Sequence, residues 1–512
     1  METPALFLCL ALPLAGAALV LLLGRWPNLR EAASLATGGW LFLEVLALLP
    51  AVEAGDRPRA VLVSVIPEIP LAFEVEPLGM LFALVASSLW IVTTIYSIGY
   101  MRGHGETNQT RFYACFAIAI ASAIGVAFAS NLLTLFVFYE VLTLSTYPLV
   151  THSGTDEARR AGRVYLGVLL GTSIAFQLFA ILWVWVLAGE TGFRSGGILA
   201  GRADPLATTI LLALFVFGIG KAAVMPFHRW LPAAMVAPTP VSALLHAVAV
   251  VKAGVFAVLK VVVYVFGPGH LAAIGGTSGW LIAVAAVTIL AGSLVAMRRD
   301  NLKARLAYST VSQLSYIVMG ALVASVWGIV GAGLHIVMHA FAKITLFFCA
   351  GAVLVAHHRT EVSELDGIGR AMPITMAAFL VASLSIVGLP LLGGMWSKWS
   401  LALGTIESGR YELLAVATED VLHQPARSTL LPAMPAIFRA ARAAGAHGAY
   451  LSGGGSAVAA FVSDGAEAVA GAMREAAAAV GLEAEARICR MSSRGAELID
   501  DTAAPGVGSA GR

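Results

Sequence analysis

Charge is what this sequence has least of. Asp, Glu, Lys and Arg make up 12% of its 512 residues, about half of the ~25% usual in soluble globular chains. With 59% hydrophobic residues and a mean hydropathy of +0.85, too little polar surface remains to cover a water-soluble body of this size. That excludes a cytosolic enzyme, a nucleic-acid binder and a disordered chain. Cysteine is nearly absent as well. Cys9, Cys115, Cys349 and Cys489 are isolated, so neither a disulfide framework nor a metal site is expected. No quinone, flavin or iron–sulfur motif occurs, and no cofactor is expected.

The scarcity is uneven. The first 405 residues hold 23 Lys+Arg and 18 Asp+Glu, net +5; the last 107 hold 9 and 12, net −3, with no Lys and no Trp. The overall charge of +2 is the sum of these two. A membrane part, divisible into N-terminal helices (1–70) and a main domain (71–405), is followed by a soluble-looking tail (406–512).

Apolar runs of about 20 residues, each able to cross ~30 Å of hydrocarbon, recur in the first part. They lie near 4–24, 32–52, 76–100, 112–129, 131–151, 164–188, 206–225, 240–264, 276–297, 305–325, 327–355 and 373–393. An all-α polytopic membrane protein of about twelve transmembrane helices is expected. The first run follows Glu2 without a basic start, and so reads as a span rather than a cleaved signal. Loops after odd-numbered spans carry Arg25, Arg30, Arg102, Arg111, Arg159, Arg160, Arg163, Arg229, Arg298, Arg299, Lys303, Arg359 and Arg370; the others are acidic or mixed. The positive-inside rule then places the N-terminus outside a cell inner (plasma) membrane, and residue 405 on the same side.

Ionisable groups inside spans are costly and by default mark an ion or proton path. Eight stand out: Glu140, Lys221, His246, Lys252, His335, His339, Lys343 and Lys398. One alone could be a snorkelling end charge or a structural pair; eight argue for a path. Burial drives Lys toward releasing its proton, a nearby carboxylate such as Glu140 would hold Lys221 charged, and histidines can relay between lysines. His335, His339 and Lys343, spaced four apart, fall on one helix face. Helix breakers flank these groups: Pro226 and Pro240 after Lys221, Gly388 and Pro390 before Lys398. Broken helices in a membrane line cavities or lie buried in protein.

The stretch KAAVMPFHRWLPAAMVAPTPVSALLHAVAVVK (221–252) resembles the signature of the antiporter-like proton-conducting subunits found in Mrp-type cation/proton antiporters, respiratory complex I and related hydrogenases. The likeness continues in RLAYSTVSQLSYIVMG (305–320), HIVMHAFAKITLFFCAG (335–351) and MPITMAAFLVASLSIVGLPLLGGMWSKW (372–399), with the SKW ending leaning toward the D-type member of the Mrp antiporters. The resemblance implies two inverted five-helix repeats, each with a broken helix, and a midplane row of charges. Glu140 and Lys221 would pair in the first half-channel; Lys252 and the His335–His339–Lys343 face would join the halves; Lys398 would end the second. It implies other membrane subunits, lipid, protons, and Na+ or K+ as partners, and no nucleic acid. Such subunits usually have about fourteen spans, so the second repeat is expected to be truncated after Leu403.

The tail reads as a small α+β unit: helices at 435–446 and 467–486, a strand–turn–strand in GAYLSGGGSAVAAFVSD, and a short EARICRM strand. Residues 413–462 resemble the C-terminal half of homoserine kinase, of the GHMP kinase superfamily. That resemblance would put Arg427 on the substrate and Gly453, Gly454 and Gly455 near the transferred phosphate. The Pro-x-x-x-Gly-Leu-Gly-Ser-Ser loop that cradles ATP in those kinases is not found in the chain. Half a site cannot position ATP against an acceptor, so the tail is expected to be non-catalytic. A membrane-anchored kinase-like domain is the alternative from another class. A single join of two unrelated genes near 403–410 would account for both partial resemblances.

Overall fold

The structure is a computed structural model that describes residues 4–66, 69–274, 276–409, 418, 428–429, 431–452 and 457–489. The chain divides into two compact units, Met1–Ser408 and Gly409–Arg512.

The first unit is built of helices α1 (Pro4–Leu22), α2 (Pro27–Ala47), α3 (Pro77–Gly103), α4 (Gln109–Ala127) and α5 (Leu132–Val150), then α6 (Asp156–Ala188) and α7 (Pro205–Gly218). They are followed by α8 (Thr239–Phe266), α9 (Gly279–Arg298), α10 (Leu302–Val323), α11 (Val326–His357), α12 (Pro373–Val387) and α13 (Gly393–Glu407). Strands β1 (Arg59–Ile66) and β2 (Ile69–Glu74) form an antiparallel hairpin between α2 and α3. Ten helices among the described residues are long and apolar enough to cross a membrane. The expected spans at 206–225 and 373–393 instead hold shorter helices, because a backbone break cuts each of them.

Local chemistry starts these helices. Glu76, Asn131, Thr155, Asp204, Asn301 and Ser325 each accept a backbone N–H from the first turn of the helix that follows, satisfying donors a membrane would leave orphaned. Polar residues inside α3 need no outside partner: Ser87, Thr93, Thr94 and Ser97 each donate to the carbonyl four residues back.

Loops gather by parity, as a chain crossing back and forth requires. On the arginine-rich face Thr110 donates to the Gly24 carbonyl, Arg111 to that of His152, and Ser363 N–H to Asp300. On the opposite face Glu74 N–H bonds the Phe128 carbonyl, Leu132 that of Thr191, and Leu199 that of Val265.

Helix α8 is the centre: every residue from Val250 to Val261 is buried, and it packs against α3, α4, α10 and α11. π-helical turns interrupt it at Leu244–Val248 and Val262–Phe266.

In the second unit, helices α14 (Met434–Ala443) and α15 (Ala466–Ala478) pack together beside an antiparallel hairpin of β3 (Gly448–Leu451) and β4 (Val458–Phe461). Ala441, Ala449 and Val469 form part of its core. The expected EARICRM strand differs: residues 485–489 are exposed and in no strand, pairing with neither β3 nor β4. A strand without a ladder partner has no hydrogen bonds to hold it.

Candidate functional site

Both helix breaks sit next to a lysine. After Gly218 the chain makes a short 3-10 turn, Gly220–Ala222, and passes through a left-handed Ala223 (φ 53°) before Pro226. The N–H freed at Lys221 donates to the Tyr139 hydroxyl at 3.0 Å, and the Gly220 carbonyl accepts from Trp230 Nε1 at 3.0 Å. The break is thus satisfied by neighbouring helices, the condition for irregular backbone at membrane depth. At the second break Gly388 takes φ 95°, a conformation open to glycine at little cost, and α12 ends. Lys398 Nζ, from α13, donates to the exposed end carbonyls of Ile386 (2.8 Å) and Val387 (3.2 Å). A cation at a helix C-terminus also opposes its dipole. Pro390 lies in this second turn, whereas Pro240 occupies the first turn of α8, starting that helix rather than breaking it.

Lys221 is fully buried. Its ammonium donates to the Tyr139 carbonyl at 2.7 Å and to Thr143 Oγ1 at 2.6 Å, and lies 3.1 Å from the Tyr139 ring centroid. The direct Glu140–Lys221 ion pair implied by resemblance is not formed here. Tyr139 and Thr143, four apart, share the face of α5 that meets Lys221, while Glu140 is turned about 100° away. Both Glu140 carboxylate oxygens are buried and have no hydrogen-bond partner among the described residues.

The remaining groups converge on α8 and α11. Lys252 Nζ and His339 Nδ1 are 2.6 Å apart. The rings of His335 and His339 stack at 5.9 Å, and His335 Nδ1 bonds Ser397 Oγ at 2.8 Å, one residue before Lys398. The expected face of α11 is therefore real, and it reaches the second break. Lys343, one turn further on, donates to Ser309 Oγ (2.8 Å) and the Leu306 carbonyl (3.2 Å) of α10. His246 lies 4.7 Å from the Phe347 ring, with both ring nitrogens buried and unpartnered among the described residues. Gly254, two residues past Lys252, lets α8 touch the first break: a Cβ there would lie 2.4 Å from the Lys221 carbonyl carbon.

Arg427, Gly453, Gly454 and Gly455 lie outside the described residues.

Sequence reasoning missed the hydroxyls of Tyr139, Thr143, Ser309 and Ser397, which carry no signal of their own in an apolar helix. It also missed Lys260 and Glu76, which form a buried ion pair at 3.1 Å. Lys260 was legible as one more lysine inside a span.

The segment that carries these buried lysines and histidines matches a known family. The family described as "NADH:quinone oxidoreductase/Mrp antiporter, TM" matches residues 129–422. The chain belongs to that family. A second signature, "NADH-Ubiquinone oxidoreductase (complex I), chain 5 N-terminus", matches 66–113, and "GHMP kinases C terminal" matches 402–479. Relatives of this antiporter-like chain include NADH-quinone oxidoreductase subunit N of Desulforudis audaxviator, 37% identical over 350 residues (67% of this chain, 68% of that one). A probable K(+)/H(+) antiporter chain of Rhizobium meliloti is 32% identical over 376 residues (72% and 36%). NADH-quinone oxidoreductase subunit L of Mycobacterium tuberculosis is 31% identical over 426 residues (79% and 64%). The chain thus spans from about a third to two thirds of these relatives' own lengths. Among solved structures, a chain of the archaeal membrane-bound sulfane sulfur reductase aligns with TM-score 0.69 at 25% identity, covering 80% of this chain and 83% of that one. A chain of the Mrp complex of Dietzia sp. aligns with TM-score 0.71 at 24% identity (80% and 76%), a likeness of fold.

Proposed function

We propose that this chain is a proton-translocating membrane subunit of a multisubunit cation/proton antiporter. Protons would move along Glu140, Lys221, His246, Lys252, His339, His335, Lys343 and Lys398. The observation that carries the reading is the 2.6 Å contact between Lys252 and His339, which joins the helix touching the first break to the helix touching the second. Unpartnered nitrogens on His246, His335 and His339 leave capacity for water or a passing proton.

Partners are other membrane subunits, with the lipid bilayer around them and Na+ or K+ as the exchanged cation. The arginine-rich face is assigned to the cytoplasm of a plasma membrane, with the N-terminus outside. A component of a complex I-type oxidoreductase is the second reading, favoured by the likeness to subunits N and L. The tail is assigned as a non-catalytic kinase-like appendage.

The test is proton flux in vesicles holding the chain with its partner subunits. Lys221→Ala and Glu140→Ala should each abolish coupled movement; wild-type flux in either would overturn the pathway. Dependence of flux on Na+ or K+ rather than on quinone reduction separates the two readings.

A further inference from the structure

A second buried charged cluster lies outside the row, at the end of the molecule opposite the arginine-rich face. Glu76 precedes α3 and Lys260 sits near the end of α8. Glu76 Oε1 accepts from Lys260 Nζ at 3.1 Å and from Gly79 N–H at 2.9 Å. Its other oxygen accepts from the Tyr264 hydroxyl at 2.7 Å and from Leu78 N–H at 2.8 Å. Lys260 Nζ also donates to the carbonyl of Ala127, the last residue of α4, at 3.1 Å. The rings of Phe193 and Phe256 stand 4.9 and 5.4 Å from the ammonium, and Phe82 stacks on Phe256 at 4.8 Å. The side chains of Lys260 and Glu76 are 0% and 4% exposed.

Two features set this cluster apart from the row. Its charges answer two helix dipoles at once, the carboxylate at the N-terminus of α3 and the ammonium at the C-terminus of α4. Every polar side-chain atom of Glu76, Lys260 and Tyr264 has a partner, whereas Glu140, His246, His335 and His339 each leave buried atoms unpartnered. A proton relay needs spare lone pairs or donors; the Glu76 carboxylate accepts four hydrogen bonds and its ammonium partner is walled by aromatic rings, so the pair resists separation. Its position completes the argument. Lys260 follows Lys252 by eight residues on α8, the same helix face and about 12 Å along the axis. It is therefore the next ionisable group met on leaving the row along α8, followed on that helix by Tyr264.

We propose that Glu76, Lys260 and Tyr264 form an electrostatic plug that closes this end of the row. It ties α3, α4 and α8 together and denies protons a direct passage between Lys252 and the adjacent surface. The meaning of the row rests on the function proposed above; the plug is measured separately, as passive proton tightness.

The experiment uses vesicles containing the full chain, with a permeant anion to compensate charge and no Na+ or K+ to exchange, and follows collapse of an imposed pH gradient. Glu76→Gln and Lys260→Gln should each raise the leak several-fold per reconstituted protein, while Lys260→Arg, which keeps the charge, stays within about twofold of wild type. The double variant Glu76→Gln/Lys260→Gln keeps the shape of the pair without its charge and should leak like the singles. If either single fails to reach the vesicles, the double variant decides. A tight double variant would show that shape rather than charge seals the end, and wild-type tightness in the singles would equally overturn the plug. Coupled transport is recorded on the same preparations with partner subunits. A wild-type chain that moves no protons would sink the proposed function and leave the leak comparison standing.

Discussion

Lys252 on α8 and His339 on α11 meet at 2.6 Å, although 87 residues separate them in the chain. Each is buried, at 0% and 2% exposure. The contact bridges the helix packed on the first break and the helix bonded, through His335 and Ser397, to the second. If it carries protons between halves, Lys252→Ala and His339→Ala should each cut flux by at least tenfold. The double variant should be little worse than either single, since residues acting as one unit are not additive. Vesicle flux for the four-member cycle checks this.

Lys398 caps a helix end and is proposed to carry protons, and the two roles can be separated. Its ammonium caps the α12 carbonyls of Ile386 and Val387. Lys398→Arg should keep the cap and the folded yield, yet lose most flux, because a guanidinium does not release its proton. Lys398→Ala should lose flux and also lower the melting temperature by a few degrees. Yield, melting temperature and flux on one preparation decide it.

Gly254→Ala should damage the first break without touching a charge. The added carbon would sit 2.4 Å from the Lys221 carbonyl carbon and 2.5 Å from Ala222 N, both backbone atoms that cannot swing aside. A cost of about 1–3 kcal/mol is expected from such overpacking, seen as a lower melting temperature together with reduced flux.

His152 lies beyond the end of α5, outside the spans. Burial pushes its pKa below the ordinary 6.5, against the pull of Glu106 Oε2 3.8 Å away, with Arg111 adding to the lowering. The folded state therefore binds its proton less readily than the unfolded chain. Stability from this site is fully present above about pH 6.5 and declines as pH falls toward the lowered folded value. His152→Gln should flatten that part of the profile, measured as melting temperature between pH 5.5 and 7.5. An unchanged acid slope in the variant would assign the loss elsewhere.

The full-length protein should transfer no phosphate from ATP to homoserine. The kinase-like match covers residues 402–479, and the ATP-cradling loop of such kinases is not found in the sequence. Measurable turnover in a coupled assay would reverse the assignment of the tail.

Much of the membrane part was legible because the bilayer imposes one simple rule. Apolar runs in a bilayer must be helical, so ten of the twelve runs became membrane-length helices, and the odd-numbered loops, which hold most of the loop arginines, gathered on one face. His335, His339 and Lys343 could be placed on one face from spacing alone, since the period of a helix is fixed. The two short helices were less legible. Composition runs unbroken through 206–225, and only backbone geometry shows that α7 stops at Gly218, three residues before Lys221.

What the sequence determined by itself is the kind of molecule: a charge-poor helical membrane protein, with its few interior charges set beside helix breakers, joined to a more polar tail. Periodicity and burial cost act along the chain, and so can be read along it. Pairing was decided only in the tertiary structure. Glu140 looked like the partner of Lys221, yet the turn of α5 presents Tyr139 and Thr143 instead. Glu76 and Lys260 stand 184 positions apart in the chain, yet folding closes them into a buried ion pair. Which charges meet depends on how far each helix is rotated about its axis, and packing against neighbours sets that rotation.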